Sequence, residues 1–401
     1  MSEPTGVIHI LLGDAPAGDL VVYPDDRTEF ALDHRYVAMY PRPVLGQVFE
    51  DDLHATHRSR MQLSPFFSNL LPEERIRELV ASQIGVSPSR EARLLAYLGE
   101  DLPGAVRAIP EGELPTVSSA QTEPRDQAHL HPIKFSLAGA QPKLSMLLEG
   151  DGLTFPATGR GGNHLVKMPG SKYKGVPENE FVTMSWAGAS GVVVPSFWLE
   201  PVSKLRNVPP EMSEANGNAY VVARFDRPAP GRRIHIEDFA QVLGLYPTYD
   251  GKYKRANYET LAAIVLRQHP ASFDEFIRRL VFVVLSANAD AHVKNWSFWY
   301  PDGVNAQLAP AYDLVSTVEF IGEDTLALNI AGSKAWEDVK LSSFESLAKR
   351  VGADPVAVAR LVKDSTARTL DAWSRWRPSA SLLLQQRIEA HWKRLPLAKG
   401  E

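Results

Sequence analysis

The hydrophobic period of this chain changes along its length, and that change limits the folds open to it. Residues 7 to 49 alternate apolar and polar positions in VIHILL, DLVVYP, EFALD and AMYPR, separated by Gly, Pro and Asp turns, a pattern that predicts a small antiparallel sheet. From SPFFSNLLPEERIRELVASQIG through SREARLLAYLGEDLPGAV the period becomes helical, with Ser89 as a cap and Gly99 as a stop. A polar stretch rich in Pro, Ser and Glu, EGELPTVSSAQTEPRDQAH, then reads as a linker. A second strand-rich block follows, made of KFSLAGAQPKLSMLLEGDGLTF, HLVKMP and NAYVVARFDR. Between its last two strands lies a helix candidate, ENEFVTMSWAGASG, ending at Gly188 or Gly191, and after Ile236 the chain is mainly helical. The expected organisation is α+β: a β/α subdomain over 1–110, a linker over 111–130, a β-rich lobe over 131–235 and a helical lobe over 236–401. No repeat of fixed period is present.

Bulk properties exclude several functions. A 401-residue chain with 44% hydrophobic residues can build full cores. The formal charge of -5, from 43 basic and 48 acidic residues, gives no global field for sequence-independent nucleic-acid binding. There is no cysteine, so disulfides, thiolate catalysis and cysteine-bound zinc are excluded. The N-terminal VIHILL lacks a basic flank and is interrupted by a histidine, and no run reaches the roughly 20 apolar residues of a membrane span. The expected location is the cytoplasm.

The apolar run VFVVLS is followed at once by NADAHVKNWSF, which packs polar side chains against a buried segment. Groups placed so must be solvated or employed. Asp290 and Asn295 are separated by four residues, the spacing with which phosphotransferases set an acceptor-orienting carboxylate and an oxygen ligand for Mg²⁺. The His-Arg that precedes this Asp in protein kinases is replaced by Asn288-Ala289. A second metal-binding Asp is required downstream, and QLAPAYDLVST offers Asp313 in an apolar context, with a turn or cap role after Pro310 as the other reading. There is no Asp-Phe-Gly.

Upstream, HLVKMPG puts Lys167 in an apolar strand, where a lysine suits a nucleotide's phosphates better than a core. Glu180, thirteen residues on, is either its partner or a favourable charge near a helix N-terminus. Before both lies FSLAGAQPKLSML, a strand-turn-strand whose Gly139 is flanked by Ala138 and Ala140. Small side chains let backbone N–H groups approach phosphate oxygens, and they also suit any tight hairpin. Small-residue turn, strand Lys, helix Glu, Asp-x-x-x-x-Asn and Asp occur in the order of a protein-kinase core.

Taken with FFSNLLPE, LLAYLGEDLPGAV, ENEF, ARFDR and HIEDFAQVLGL, these segments make the chain similar, over nearly its whole length, to the HipA toxins, serine/threonine kinases of bacterial toxin–antitoxin pairs. The resemblance implies a protein-kinase-like fold, with the β-rich lobe binding nucleotide and the helical lobe catalytic, and with ATP and Mg²⁺ as cofactors. It implies Asp290 as catalytic base, Asn295 and Asp313 on Mg²⁺, Lys167 on the ATP phosphates, and the turn Leu137, Ala138, Gly139, Ala140 and Gln141 covering them. Ala223 to Phe225 would hydrogen-bond adenine through the backbone, with Asp226 near the ribose. His292 or Lys294 would neutralise the phosphates. Ser136 matches a serine whose autophosphorylation would add about -1.5 to -2 charge and repel ATP; the other reading is a strand-end serine bonded to backbone.

Implied partners are a helix-turn-helix, HipB-like antitoxin that carries the operator-DNA contacts, and a protein target, an aminoacyl-tRNA synthetase. The chain departs from the family at Pro142 and Ala223, where Glu or Asp and Glu are common; only the backbone is needed at the latter. The loop LYPTYDGKYKRANYET brings Lys252, Lys254 and Arg255 between tyrosines and reads either as a substrate or nucleotide contact or as a solvated basic loop. Two other functions use the same parts: a small-molecule kinase, and a non-catalytic co-repressor module.

Overall fold

The computed structural model describes residues 3–112, 143–150, 152–156, 161–170, 173–209, 216–322 and 324–401. Most of the linker expected over 111–130 lies outside these residues, as do Ser136 and the turn Leu137, Ala138, Gly139, Ala140 and Gln141. The protein is α+β and divides into two units. The first comprises 1–168, 200–247 and 299–304, the second 169–199, 248–298 and 305–401. The two N-terminal domains expected from the sequence thus fall in one unit, whereas the helix Val176–Ala189 joins the helical unit.

In the first unit, strands β1 (Gly6–Leu12), β2 (Ala15–Val22), β3 (Arg27–Leu32), β4 (His57–Arg60) and β5 (Val106–Pro110) form a sheet in the order β4-β3-β2-β1-β5. The alternation is realised: Ile8, Ile10 and Leu12 are buried, while His9 faces solvent opposite Asp19 and meets its carboxylate at 2.7 Å. The FFSNLL segment plugs the inner face. Phe67 packs edge-on to Phe30 at 4.8 Å and to Phe66 at 5.1 Å. The fully buried Glu91 anchors the segment, accepting from Leu63 N just before it, from Ser68 Oγ within it and from Arg77 Nη1 after it, at 2.8, 3.0 and 2.8 Å. The helical period of SPFFSNLLPEERIRELVASQIG is realised in two pieces, Pro65–Ser68 and Glu74–Gln83, with Pro72 between them. The next helix, Glu91–Leu98, is preceded by Arg90, with Ser89 one residue too early to cap it. It does end at Gly99, where a Cβ would lie 1.8 Å from the carbonyl oxygen of Ala108 in β5.

The second sheet of this unit contains β6 (Lys143–Glu149), β7 (Gly152–Thr154), β8 (His164–Lys167) and, after β9 (Phe197–Pro201), β10 (Asn218–Ala223), with neighbours in the order β7-β6-β8-β10. All of its pairings are antiparallel among these four strands.

The second unit is built on the helices Val176–Ala189, Tyr258–Gln268, Phe273–Leu285, Leu341–Val351, Pro355–Trp376 and Leu382–Arg394. Trp186 centres its core, 4.6 Å from Trp373 and 5.0 Å from Phe282 by ring centroids, and its indole N–H donates to Thr369 O at 2.7 Å. Helix Val176–Ala189 is left through Ser190 and then Gly191 at φ 91, so the second of its two candidate stops is the one used. Among the described residues no helix is long and apolar enough to cross a membrane.

Candidate active site

The helix Phe273–Leu285 ends against residues 286–298, and its last carbonyls need partners that no further turn supplies. Each has one. Asn288 N donates to Val283 O at 3.1 Å, His391 Nε2 to Val284 O at 2.8 Å and Trp392 Nε1 to Leu285 O at 2.8 Å. Burial holds the His391 imidazole down at about 4, so the ring is neutral and donates from Nε2. Ser316 Oγ then takes Ser286 O at 2.7 Å, and Thr317 Oγ1 takes Ala287 O at 3.0 Å while accepting from Ala289 N at 2.9 Å.

Inside this frame the loop fastens itself. Asp290 N donates to Asn288 Oδ1 at 3.0 Å, Asn295 Nδ2 to Asp290 O at 2.8 Å, and Asn295 N to His292 O at 2.9 Å. Tyr258 OH and Trp296 Nε1 both reach Ala291 O, at 3.2 and 3.3 Å. The polar groups behind VFVVLS are therefore employed. Residues 281–298 are all buried except Asp290, whose side chain is 53% exposed. A carboxylate held out of a fastened, buried loop is a group kept available.

Three further expected members, His292, Lys294 and Asn295, lie on the same loop. His292 is buried, with Nε2 3.9 Å from Asp290 Oδ1, and Lys294 is buried beside it. The bond from Asn295 Nδ2 commits the nitrogen of that amide, so its oxygen is the atom left to ligate. Asp313 is bracketed against the loop from both sides. Tyr312 OH, one residue before, donates to Lys294 O at 2.8 Å, and Ser316 and Thr317, three and four residues after, hold 286–289. Its backbone has φ 58, a left-handed conformation that Asp and Asn tolerate best among non-glycine residues. Among the described residues there is no group of three His, Cys, Asp or Glu suited to a metal. The carboxylate of Asp313 and the amide oxygen of Asn295 are instead hard-oxygen donors of the kind that suits Mg²⁺, an ion that keeps several waters and takes phosphate oxygens as further ligands.

In the first unit, Lys167 is 2% exposed, with Nζ 5.7 Å from the Tyr220 ring centroid. It lies directly opposite Lys143, also buried, across β6 and β8. Ala223 ends β10, and Phe225 sets its ring edge-on to Trp299 at 6.1 Å. The carboxylate of Asp226, the residue expected near the ribose, is paired within the protein. It accepts from Arg224 Nε and Nη2 at 3.1 and 2.9 Å, from Arg227 Nη1 at 2.8 Å and from Gly104 N at 3.0 Å. Burial opposes its charge, yet the two arginines hold the acid down at about 2. Its hydrogen-bonding capacity is taken, and with Asp101, 3.2 Å from Arg227 Nη2, it forms an ionic knot. Glu180 is fully buried on the helix Val176–Ala189 of the second unit.

Sequence reasoning missed the hydroxyls that hold the loop. Tyr312, Ser316 and Thr317 flank Asp313 in YDLVST, and their regular placement around a candidate ligand was the available signal. It also missed Tyr253. In the loop 245–260 the basic residues drew attention, but it is Tyr253 OH that donates to Asp290 Oδ1.

One β-rich unit and one helical unit, the latter carrying Asp290, Asn295 and Asp313 outside its helices, are the parts of a phosphotransferase-like class, and comparison with known proteins narrows it. The family model for the HipA N-terminal domain matches residues 8–109 and that for the HipA-like C-terminal domain matches residues 135–373. The chain is 39% identical over 404 residues to Y4dM, a kinase candidate of Sinorhizobium fredii, covering 98% of this chain and 93% of that one. It is 28% identical over 291 residues to the serine/threonine-protein kinase toxin HipA of Shewanella oneidensis, covering 64% and 63%. A solved complex of HipA, HipB and operator DNA from Shewanella oneidensis superposes with a TM-score of 0.74 at 21% identity, covering 98% of this chain and 96% of that one. The chain belongs to the HipA family of kinases.

Proposed function

We propose that this protein is an ATP- and Mg²⁺-dependent serine/threonine protein kinase acting as the toxin of a toxin–antitoxin pair. The observation that carries the proposal is the exposure of Asp290 in an otherwise buried run, with Asn295 and Asp313 fastened to the same loop. Asp290 accepts the proton of the acceptor hydroxyl as the phosphoryl group is transferred. Asn295 and Asp313 hold Mg²⁺, which supplies charge neutralisation at the β- and γ-phosphates. His292 and Lys294 stand two and four residues from the base and oppose developing negative charge.

Lys167 contacts the ATP phosphates. Support comes from the place of Lys167, 2% exposed on the strand β8, where a lysine is uncommon unless its charge is used. The backbone of Ala223 to Phe225 takes adenine. The turn Leu137, Ala138, Gly139, Ala140 and Gln141 covers the phosphates, and phosphorylation of Ser136 beside it switches the enzyme off. The partner is a HipB-like helix-turn-helix antitoxin that carries the contacts to operator DNA; the Shewanella oneidensis HipA is found in such an assembly. The family resemblance carries the target class, an aminoacyl-tRNA synthetase, and the cytoplasm as the site of action.

The test is incubation with labelled ATP and Mg²⁺, followed by mapping of the label. It is expected on Ser136, to require Mg²⁺, and to vanish in Asp290→Ala. Label that persists in that variant removes Asp290 as the base.

A further inference from the structure

Tyr253 brings a hydroxyl of the chain itself to the proposed base. The helix Tyr249–Tyr253 is capped by Thr248, whose hydroxyl accepts from Gly251 N at 3.2 Å. At its other end Lys334 Nζ donates to Tyr253 O at 2.8 Å and to Ala327 O at 2.7 Å, clamping the end of this helix to the 327–334 segment. The Tyr253 ring stands edge-on to His292 at 5.0 Å and packs against Tyr249 at 5.0 Å. Between these supports the half-buried side chain sends its O–H to Asp290 Oδ1, the one exposed carboxylate of the loop. The nearby Lys254 is turned to Asp250 at 2.8 Å, on the exposed side, and takes no part.

In phosphoryl transfer the acceptor O–H donates to the catalytic carboxylate before the proton moves. A hydroxyl hydrogen-bonded to Asp290 therefore occupies the place that a substrate serine or threonine must take. We infer that Tyr253 is a built-in pseudosubstrate residue: it holds the acceptor position on Asp290, and a protein substrate is phosphorylated only by displacing it. The inference rests on the reading of Asp290 as the base. It assigns to the 245–260 loop a function in acceptor entry, carried by a tyrosine rather than by its basic residues. A substrate must then present its hydroxyl on a segment able to push aside an aromatic ring held at both ends of a short helix.

Full-length Tyr253→Phe keeps the ring and removes only the hydroxyl. With ATP and Mg²⁺ as the probe, and the single-turnover rate of Ser136 labelling, taken as kcat before that labelling switches the enzyme off, as the readout, the expected result is a rise of roughly tenfold, the order of a hydrogen bond to a charged group. KM for ATP should not change, because the competition is for the base and not for the nucleotide. Lys334→Met, which frees the Tyr253 carbonyl while leaving the hydroxyl, should raise kcat in the same direction by less. A lower or unchanged kcat in Tyr253→Phe overturns the inference, the lower value marking the tyrosine as a group that orients the base. Asp290→Asn separates the two layers: turnover that survives this change sinks the assignment of the base itself, whereas turnover lost in Asp290→Asn but not raised in Tyr253→Phe sinks the pseudosubstrate alone.

Discussion

Two carboxylates of this protein sit within dense polar clusters and end in opposite states. In the first unit Asp226 is 5% exposed and takes four hydrogen bonds from Arg224, Arg227 and Gly104. In the second unit Asp290 is held by its backbone alone on a buried loop, and its side chain is left half in solvent with one tyrosine upon it. A buried carboxylate with its lone pairs filled is a structural part, since any change of partner exposes an uncompensated charge. A carboxylate whose backbone is overdetermined and whose oxygens are reachable can exchange partners, which catalysis requires.

The comparison breaks most sharply at the base. Asp290→Asn should lower phosphoryl transfer by about 10²–10⁴-fold, the range of a lost general base, with little change in melting temperature because the side chain is half exposed and the amide oxygen can still accept from Tyr253. A large drop in melting temperature would place Asp290 with the structural carboxylates. The reverse substitution is Arg224→Met, which leaves Asp226 buried and short of its main partner; it should cost about 3–5 kcal/mol in denaturant unfolding while the Mg²⁺ requirement of the folded protein stays the same. Unaltered stability would remove the knot as a structural element.

Glu237 sharpens the contrast, because the first unit keeps it neutral instead of pairing it. Burial pushes this carboxyl up to about 8, although Tyr300 OH and Gln47 N both donate to it at 2.9 Å. A folded-state value above the ordinary 4.5 means that its stabilising share is fully present below that value and is lost as pH rises through about 8. Glu237→Gln should flatten that decline, by an amount on the order of a few kcal/mol across the window, as read from thermal unfolding at stepped pH. A wild-type curve already flat there would contradict the shift. The smallest effect belongs to Thr317→Val, which removes two loop bonds and should cost about 1 kcal/mol each in stability, with a loss in kcat that exceeds any change in KM for ATP.

Where local pattern decides the outcome, the sequence is informative. The alternation of Ile8, Ile10 and Leu12 sets the register of β1, and the Asp290–Asn295 spacing is fixed by a loop that bonds to itself. Strands β4 and β5 escape because HRSR and VRAIP carry too little alternation to stand out. The ion pairs of Asp226 escape for a related reason: ARFDR is a local segment, but the partners gathered at its carboxylate include Gly104 and, through Arg227, Asp101, far earlier in the chain. Tyr253 is invisible in the same way, since nothing in the sequence near it says which carboxylate its hydroxyl will meet.

The left-handed backbone at Asp313 has a consequence for how this activity can be lost. Asparagine adopts that conformation as readily as aspartate does, and the anchors on either side belong to Tyr312, Ser316 and Thr317. With Asp313 in its proposed place on Mg²⁺, one nucleotide change, to Asn, would silence phosphoryl transfer without unfolding the protein. An inert descendant of this kinase is thus a single step away and would keep the fold of its parent.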